Sequence, residues 1–201
     1  MIIKIYPQNP NETAVERVAE VLRHDGVIVY PTDSVYAFGC ALRSHKAVER
    51  IRAIKGKKAT EMAIVCSDLS NIADYARVDT PVFKLLKRNL PGPFTFVLNA
   101  SKKVPDKLLS GRKTIGVRIP DNAIPVEIVR AFGEPLLTTS VKDDDQVIEY
   151  TTDPELIYER YGKLVDLVID GGYGNNEPST VVDCSAGEPE IIRQGIGELV
   201  D

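Results

Sequence analysis

Short apolar runs that stop at a proline, glycine or polar residue alternate along this chain with segments whose apolar positions recur at helical spacing, and that alternation restricts the fold more than any other feature. Val27-Ile28-Val29-Tyr30 is such a run: short, mostly β-branched and ended by Pro31, it predicts a buried strand over 27–30 that opens into a loop. Ahead of it, Val15, Val18 and Leu22 share one helical face, with Asn11 placed to cap the helix and Gly26 to stop it. Behind it, Ser44 caps a second helix that carries Ala47, Val48, Ile51 and Ile54 on one side. The pattern then predicts strands over 62–66, 94–98, 114–118, 136–140, 167–169, 180–184 and 190–193, and helices opening at Thr80-Pro81 and spanning 123–132 and 153–161. Helices interleaved with short strands define an α/β protein, built on one twisted, open, mixed sheet with flanking helices.

A chain of 201 residues, 43% of them apolar, can bury about 70% of its unfolded surface, so it can hold its own core. Without a linker or internal repeat, one domain over residues 1–201 is expected. Composition excludes a disordered tail, a collagen-like repeat and a disulfide scaffold. No run reaches the ~18 apolar residues of a membrane span, and residues 1–10 lack the basic and apolar regions of a secretion signal, so a cytoplasmic protein that does not engage a membrane is expected. Cys40, Cys66 and Cys184 are odd in number and form no Cys-x-x-Cys pair, which predicts reduced thiols in the core.

The net charge of −4 is unevenly spread. Between residues 43 and 58 seven Lys/Arg face one Glu, between 102 and 118 six face one Asp, and between 142 and 166 eight acids face three cations. If the basic segments converge they make a cationic cleft; taken separately they are solvated helix faces.

Familiar catalytic templates fail. Gly56-Lys57 lacks the upstream Gly and the following hydroxyl of a phosphate-binding P-loop, because Lys58 stands in the hydroxyl position. His24 and His45 lie on predicted helices without metal-ligand spacing, and Gly195-Ile196-Gly197 lacks the third glycine of a dinucleotide fingerprint. No protein-ligated metal is expected. What remains is polar residues at strand ends. Pro31-Thr32-Asp33-Ser34 follows the first strand, where open α/β sheets place ligand loops, although Asp33 and Ser34 equally suit an Asx or Ser/Thr turn. Arg118 closes a strand, and its planar fork suits a carboxylate or phosphate; a surface salt bridge is the plainer alternative. Ser140, Ser179 and Arg193 also mark strand ends, and together these residues point to an anionic ligand.

The same residues carry a resemblance. Tyr30-Pro31-Thr32-Asp33-Ser34-Val35-Tyr36, Ile54-Lys55-Gly56-Lys57, Leu90-Pro91-Gly92-Pro93-Phe94-Thr95, Thr114-Ile115-Gly116-Val117-Arg118-Ile119-Pro120, Ser179-Thr180-Val181-Val182-Asp183 and Ile192-Arg193-Gln194-Gly195 follow in order through residues 27–197. Together they resemble the YrdC/YciO family, which includes the threonylcarbamoyl-AMP synthases. The resemblance implies a YrdC-like domain with a large, positively charged concave surface that binds double-stranded RNA. In the family's synthases that surface takes ATP, L-threonine and bicarbonate and forms threonylcarbamoyl-adenylate and pyrophosphate, for the later modification of tRNA. Carried over position by position, Ser34, Arg118 and Ser179 fall on the threonine side. Lys55, Lys57, Thr114, Ser140 and Arg193 fall on the nucleotide side. Mg²⁺ is expected to come with ATP through substrate oxygens.

Four positions depart from the synthase pattern and resemble the YciO branch: Lys57 in place of Arg, Lys142 in place of Asn, Cys66 in place of His, and Ala37 where a Gly follows the Tyr. Two alternatives therefore stand beside a synthase: an RNA-binding module without turnover, and an adenylate-forming paralogue with another small substrate.

Overall fold

The computed structural model describes residues 1–56, 62–141 and 151–201. Among these, ten strands form one sheet. In chain order they are β1 (Ile2–Lys4), β2 (Ile28–Tyr30), β3 (Ala37–Ala41), β4 (Ala63–Val65), β5 (Phe94–Asn99), β6 (Thr114–Arg118), β7 (Leu136–Ser140), β8 (Leu167–Asp170), β9 (Thr180–Asp183) and β10 (Glu190–Arg193). Across the sheet the order is β1-β8-β2-β3-β7-β4-β6-β5-β9-β10, with parallel pairs β1/β8, β2/β8, β4/β6 and β5/β9 among antiparallel ones. The expected mixed α/β sheet is thus what forms.

The strands predicted at 114–118, 136–140 and 190–193 keep their limits, while Val27, Met62, Cys66 and Cys184 fall just outside theirs. Two strands have no counterpart in the sequence reading. β1 is a three-residue edge strand, and β3 is rich in small residues that favour no particular structure. β3 is a strand because Gly39 lets the Tyr30 ring lie against it; a Cβ there would stand 2.8 Å from Tyr30 Cε1.

The helices are α1 (Glu12–Arg23), α2 (His45–Lys55), α3 (Leu69–Tyr75), α4 (Thr80–Asn89), α5 (Asp106–Leu109), α6 (Ala123–Phe132) and α7 (Pro154–Tyr161). Asn11 caps α1 and Ser44 caps α2, each accepting from the N–H three residues on, as their sequence positions predict. Asp153 is the cap of α7 rather than its first residue. α3 and α5 are short and were not anticipated.

Each face of the sheet gathers its own core. Val29, Phe38, Ile64, Phe96, Val117 and Leu137 pack with Ile51, Ile72, Leu86 and Ile157 from α2, α3, α4 and α7. On the other face, Ile28, Tyr30, Val65, Leu136 and Ile169 pack with Val15, Val18 and Leu22 of α1 and Ile124, Ile128 and Val129 of α6. These two helices serve the β1-to-β7 half of that face. Toward β10 the same face is left open by these helices, and a cavity lined in part by Thr95, Thr114, Gly116 and Arg118 lies there. The three cysteines are buried and unpaired, as expected. No helix among the described residues is long and apolar enough to cross a membrane.

Part of the charge segregation resolves internally. Arg50 pairs with Asp166 at 2.6 Å, Arg52 with Glu49 at 2.7 Å and Arg43 with Glu134 at 3.6 Å, so three of the seven cations in the first basic run have acidic neighbours.

Candidate functional site

Strand alternation builds the floor of the cavity. In β6, Ile115 and Val117 point into the core, so Thr114, Gly116 and Arg118 face the other way; in β5, Phe94 and Phe96 are buried and Thr95 and Val97 face the cavity. Gly116 keeps this floor low, because a Cβ there would press on Thr95 Cγ2 at 2.9 Å and Ala63 Cβ at 3.2 Å. The cavity measures about 290 Å³. At its far edge the β9/β10 pairing slips between Ile191 and Arg193, and both Ile192 and Arg193 line the cavity, as a bulge that re-aims a side chain allows.

Arg118 stands at one corner. It is 6% exposed, and its Nη2 donates to Asp33 Oδ1 at 3.1 Å and to Ser34 Oγ at 3.0 Å. Its Nε is buried with no hydrogen-bond partner among the described residues. The alternative of a surface salt bridge is overturned: this ion pair is buried on both sides. The other Asp33 oxygen accepts the Asp121 N–H at 2.7 Å, so both carboxylate oxygens bind residues far along the chain. The turn belongs to Thr32, whose Oγ1 accepts the Ser34 N–H at 3.0 Å and donates to the Val35 carbonyl at 2.7 Å. Burial pushes the Asp33 carboxyl above its ordinary range, against the pull of Arg118 and the Asp121 N–H. A second tether holds the loop: the Asn175 N–H donates to the Ser34 carbonyl at 3.1 Å.

The opposite side carries the other cations. Lys55 Nζ, at the end of α2, donates to the Ser140 carbonyl at 2.8 Å. Arg193 donates to the Ser179 carbonyl from Nε at 3.1 Å and from Nη2 at 2.8 Å, and Nη2 also reaches Ser179 Oγ at 3.2 Å. Beneath the floor, Tyr30 Oη and Thr138 Oγ1 lie 2.6 Å apart, and burial raises the Tyr30 hydroxyl to about 12, so it stays protonated.

The structure therefore brings Ser34, Lys55, Thr114, Arg118, Ser140, Ser179 and Arg193 around one hollow, from six separate stretches of chain. Lys57 and Lys142 lie outside the described residues. Of the polar lining residues, Thr95, Arg112, Thr138 and Thr139 are not among the site residues expected from sequence. Thr95 sits in the quoted Pro-Gly-Pro-Phe-Thr stretch, and its alternation with buried Phe94 and Phe96 was the available signal. Arg112 lies outside any predicted strand, where no periodicity applies.

Comparison with known proteins identifies the family and the fold. The Sua5–YciO–YrdC family model, described by the words "Telomere recombination", matches residues 20–195, and the chain belongs to this family. It is 42% identical to YciO of Escherichia coli over 198 residues, 97% of this chain and 95% of that one. It is 33% identical to the threonylcarbamoyl-AMP synthase of Mus musculus over 189 residues, 89% of this chain and 65% of the mouse protein. Among solved structures, E. coli YciO superposes with a TM-score of 0.92 over 98% of this chain and 97% of that one. P. abyssi Sua5 complexed with L-threonine superposes at 0.87 with 26% identity, over 97% of this chain and 57% of that one.

Proposed function

We propose that the cavity binds ATP, bicarbonate and a small amino acid held by its carboxylate and forms a carbamoyl-adenylate from them, with L-threonine as the amino acid. The observation that carries this reading is Arg118: a buried guanidinium at the cavity wall whose Nε has no hydrogen-bond partner among the described residues, a donor that a ligand carboxylate can satisfy. Ser34 and Ser179 complete the amino-acid side. Lys55, Thr114, Ser140 and Arg193 make up the nucleotide side, with Arg112 beside them, and Mg²⁺ accompanies ATP on the phosphate oxygens. The L-threonine complex of P. abyssi Sua5 and the synthase names among the relatives support the choice of substrate.

The chemistry needs positioning and charge rather than a protein nucleophile. The threonine amine adds to bicarbonate, an N–C bond forms and water leaves. A carbamate oxygen then attacks the α-phosphorus, and the bond to the β-phosphate breaks to release pyrophosphate. Cations around the triphosphate offset the charge that develops, and the fixed floor holds the reactants in line. Pyrophosphate release measured with ATP, L-threonine and bicarbonate, and with each omitted in turn, tests the reading. Release that depends on all three is expected; release independent of threonine assigns the site to another carboxylate, and no release at all removes the adenylation reading.

A second reading, double-stranded RNA, rests on exposed Lys102, Lys103, Lys107, Arg112 and Lys113, a basic stretch that ends at the cavity lining. Duplex RNA is gripped largely through its phosphates, so retention should fall steeply with salt. Filter binding at low ionic strength that retains no duplex RNA rejects it.

A further inference from the structure

Thr95 lies in the cavity floor between the strand that carries Gly116 and Ser179, the residue just before β9. Two independent contacts set its side chain. Its methyl occupies space that Gly116 leaves open, since a Cβ on that glycine would stand 2.9 Å from Thr95 Cγ2. Its Oγ1 lies 2.8 Å from Ser179 Oγ. A β-branched side chain has few χ1 states, so seating the methyl over Gly116 aims the hydroxyl at Ser179. From the other side, Arg193 Nη2 donates to Ser179 Oγ at 3.2 Å.

Counting protons gives this arrangement a chemical consequence. Each hydroxyl carries one proton and two lone pairs. Ser179 Oγ uses one lone pair on Arg193, and one of the two protons is spent in the Thr95–Ser179 bond, whichever residue donates it. The remaining proton has no acceptor among the described residues, and both side chains line the cavity. The pair therefore offers a ligand one O–H donor, strengthened by the charge of Arg193 behind it.

We propose that Thr95 is a positioning residue: it holds the Ser179 hydroxyl against Arg193 so that the leftover proton points to where the carbamate oxygen meets the α-phosphate. This rests on the adenylation reading above, in which Ser179 belongs to the amino-acid side and Arg193 to the nucleotide side; their mutual contact makes Ser179 the seam between the two. A donor fixed at the seam acts on charge that builds as the reaction proceeds, so its loss lowers turnover more than ground-state binding.

Thr95→Val keeps the shape and removes the hydroxyl, while Thr95→Ser keeps the hydroxyl. Steady-state pyrophosphate release from ATP, L-threonine and bicarbonate separates them, with thermal melting of each variant as the folding check. Thr95→Val should lower kcat about tenfold, the scale of one hydrogen bond, with KM for ATP within about twofold of wild type. Thr95→Ser should recover most of that kcat. Equal kcat in Thr95→Val and wild type overturns the inference; so does equal impairment of the two variants, which assigns the effect to the methyl, or a change confined to KM. A wild-type protein that releases no pyrophosphate removes the adenylation reading and this inference with it, whereas an active wild type beside an unimpaired Thr95→Val removes the inference alone.

Discussion

Arg118 Nη2 is shared between Asp33 Oδ1 at 3.1 Å and Ser34 Oγ at 3.0 Å, while Nε of the same guanidinium is buried with no hydrogen-bond partner among the described residues. Leaving a buried donor unmade costs about 1–3 kcal/mol, and the cost disappears when a ligand supplies the acceptor. Asp33 holds the side chain in place from behind, and through the Asp121 N–H it also ties the loop after β2 to the entry of α6.

Arg118→Ala should weaken binding of L-threonine by roughly 2 to 4 kcal/mol, the scale for truncating one member of a desolvated charged contact. Calorimetric titration of the wild type and the variant measures it, with circular dichroism to verify that the variant is folded now that Asp33 has lost its partner. Unchanged affinity would strike Arg118 from the ligand set. Arg118→Lys should fall between the two, since it keeps the charge and loses the planar fork.

How much of this was legible before the structure depends on the range of each signal. β6, β7, α6 and β10 follow their sequence limits because each is bounded by turn residues or caps within a few positions. β3 escaped because Ala37-Phe38-Gly39-Cys40-Ala41 has almost no β-branched content, and it becomes a strand only through its pairing with β2 and β7. The site behaves likewise. Strand-end hydroxyls and cations stood out as ligand candidates, but the Asp33–Arg118 pair joins residues far apart in the chain, and local rules offered only a turn for Asp33. Thr95 shares the fate of β3: its neighbours across the sheet, Gly116 and Ser179, define its job.

The cysteines should be chemically silent in the native protein. Burial raises the Cys40 thiol to about 12 and the Cys184 thiol to about 11, and it carries Cys66 further up still. The thiolate is the reactive form, so a disulfide reagent near pH 8 should find essentially no thiol in the folded protein, and all three after unfolding in guanidinium. Rapid reaction of any thiol in the folded state would show that the packing around it opens.

Asp166 links stability to pH. Burial works against its ionised form, but the Val27 N–H at 2.8 Å and Arg50 at 2.6 Å outweigh it, and the carboxyl sits below its ordinary value of 3.8. A carboxyl lower in the folded than in the unfolded chain stabilises the fold above the ordinary value, and that contribution is lost as pH falls through the folded one. Wild type should therefore exceed Asp166→Asn in urea midpoint near pH 7, and the gap should close as pH drops below the carboxylate range. The gap should be small and salt-sensitive because the side chain is 43% exposed. A gap that stays constant down to about pH 2 would contradict the assignment.

The two ends of α2 should separate stability from binding. At its start, Ser44 Oγ accepts the Ala47 N–H at 3.1 Å, and Ser44→Ala should cost about 1 kcal/mol, or about 2–4 °C in melting midpoint for a chain of this size. At its end, Lys55 reaches over the cavity to the Ser140 carbonyl at 2.8 Å. Lys55→Met keeps the aliphatic stem and removes the charge, so it should leave the midpoint nearly unchanged while weakening ATP binding, more at low salt than at high salt. Ser44→Ala should show the reverse: a lower midpoint and unaltered ATP affinity, because the cap lies at the far end of the helix from Lys55. Melting curves and ATP titrations on both variants read the two effects independently. Wild-type ATP affinity in Lys55→Met would remove α2 from the nucleotide side, whereas weaker ATP binding in Ser44→Ala would mean that the whole helix, rather than its last residue, sets the position of the charge.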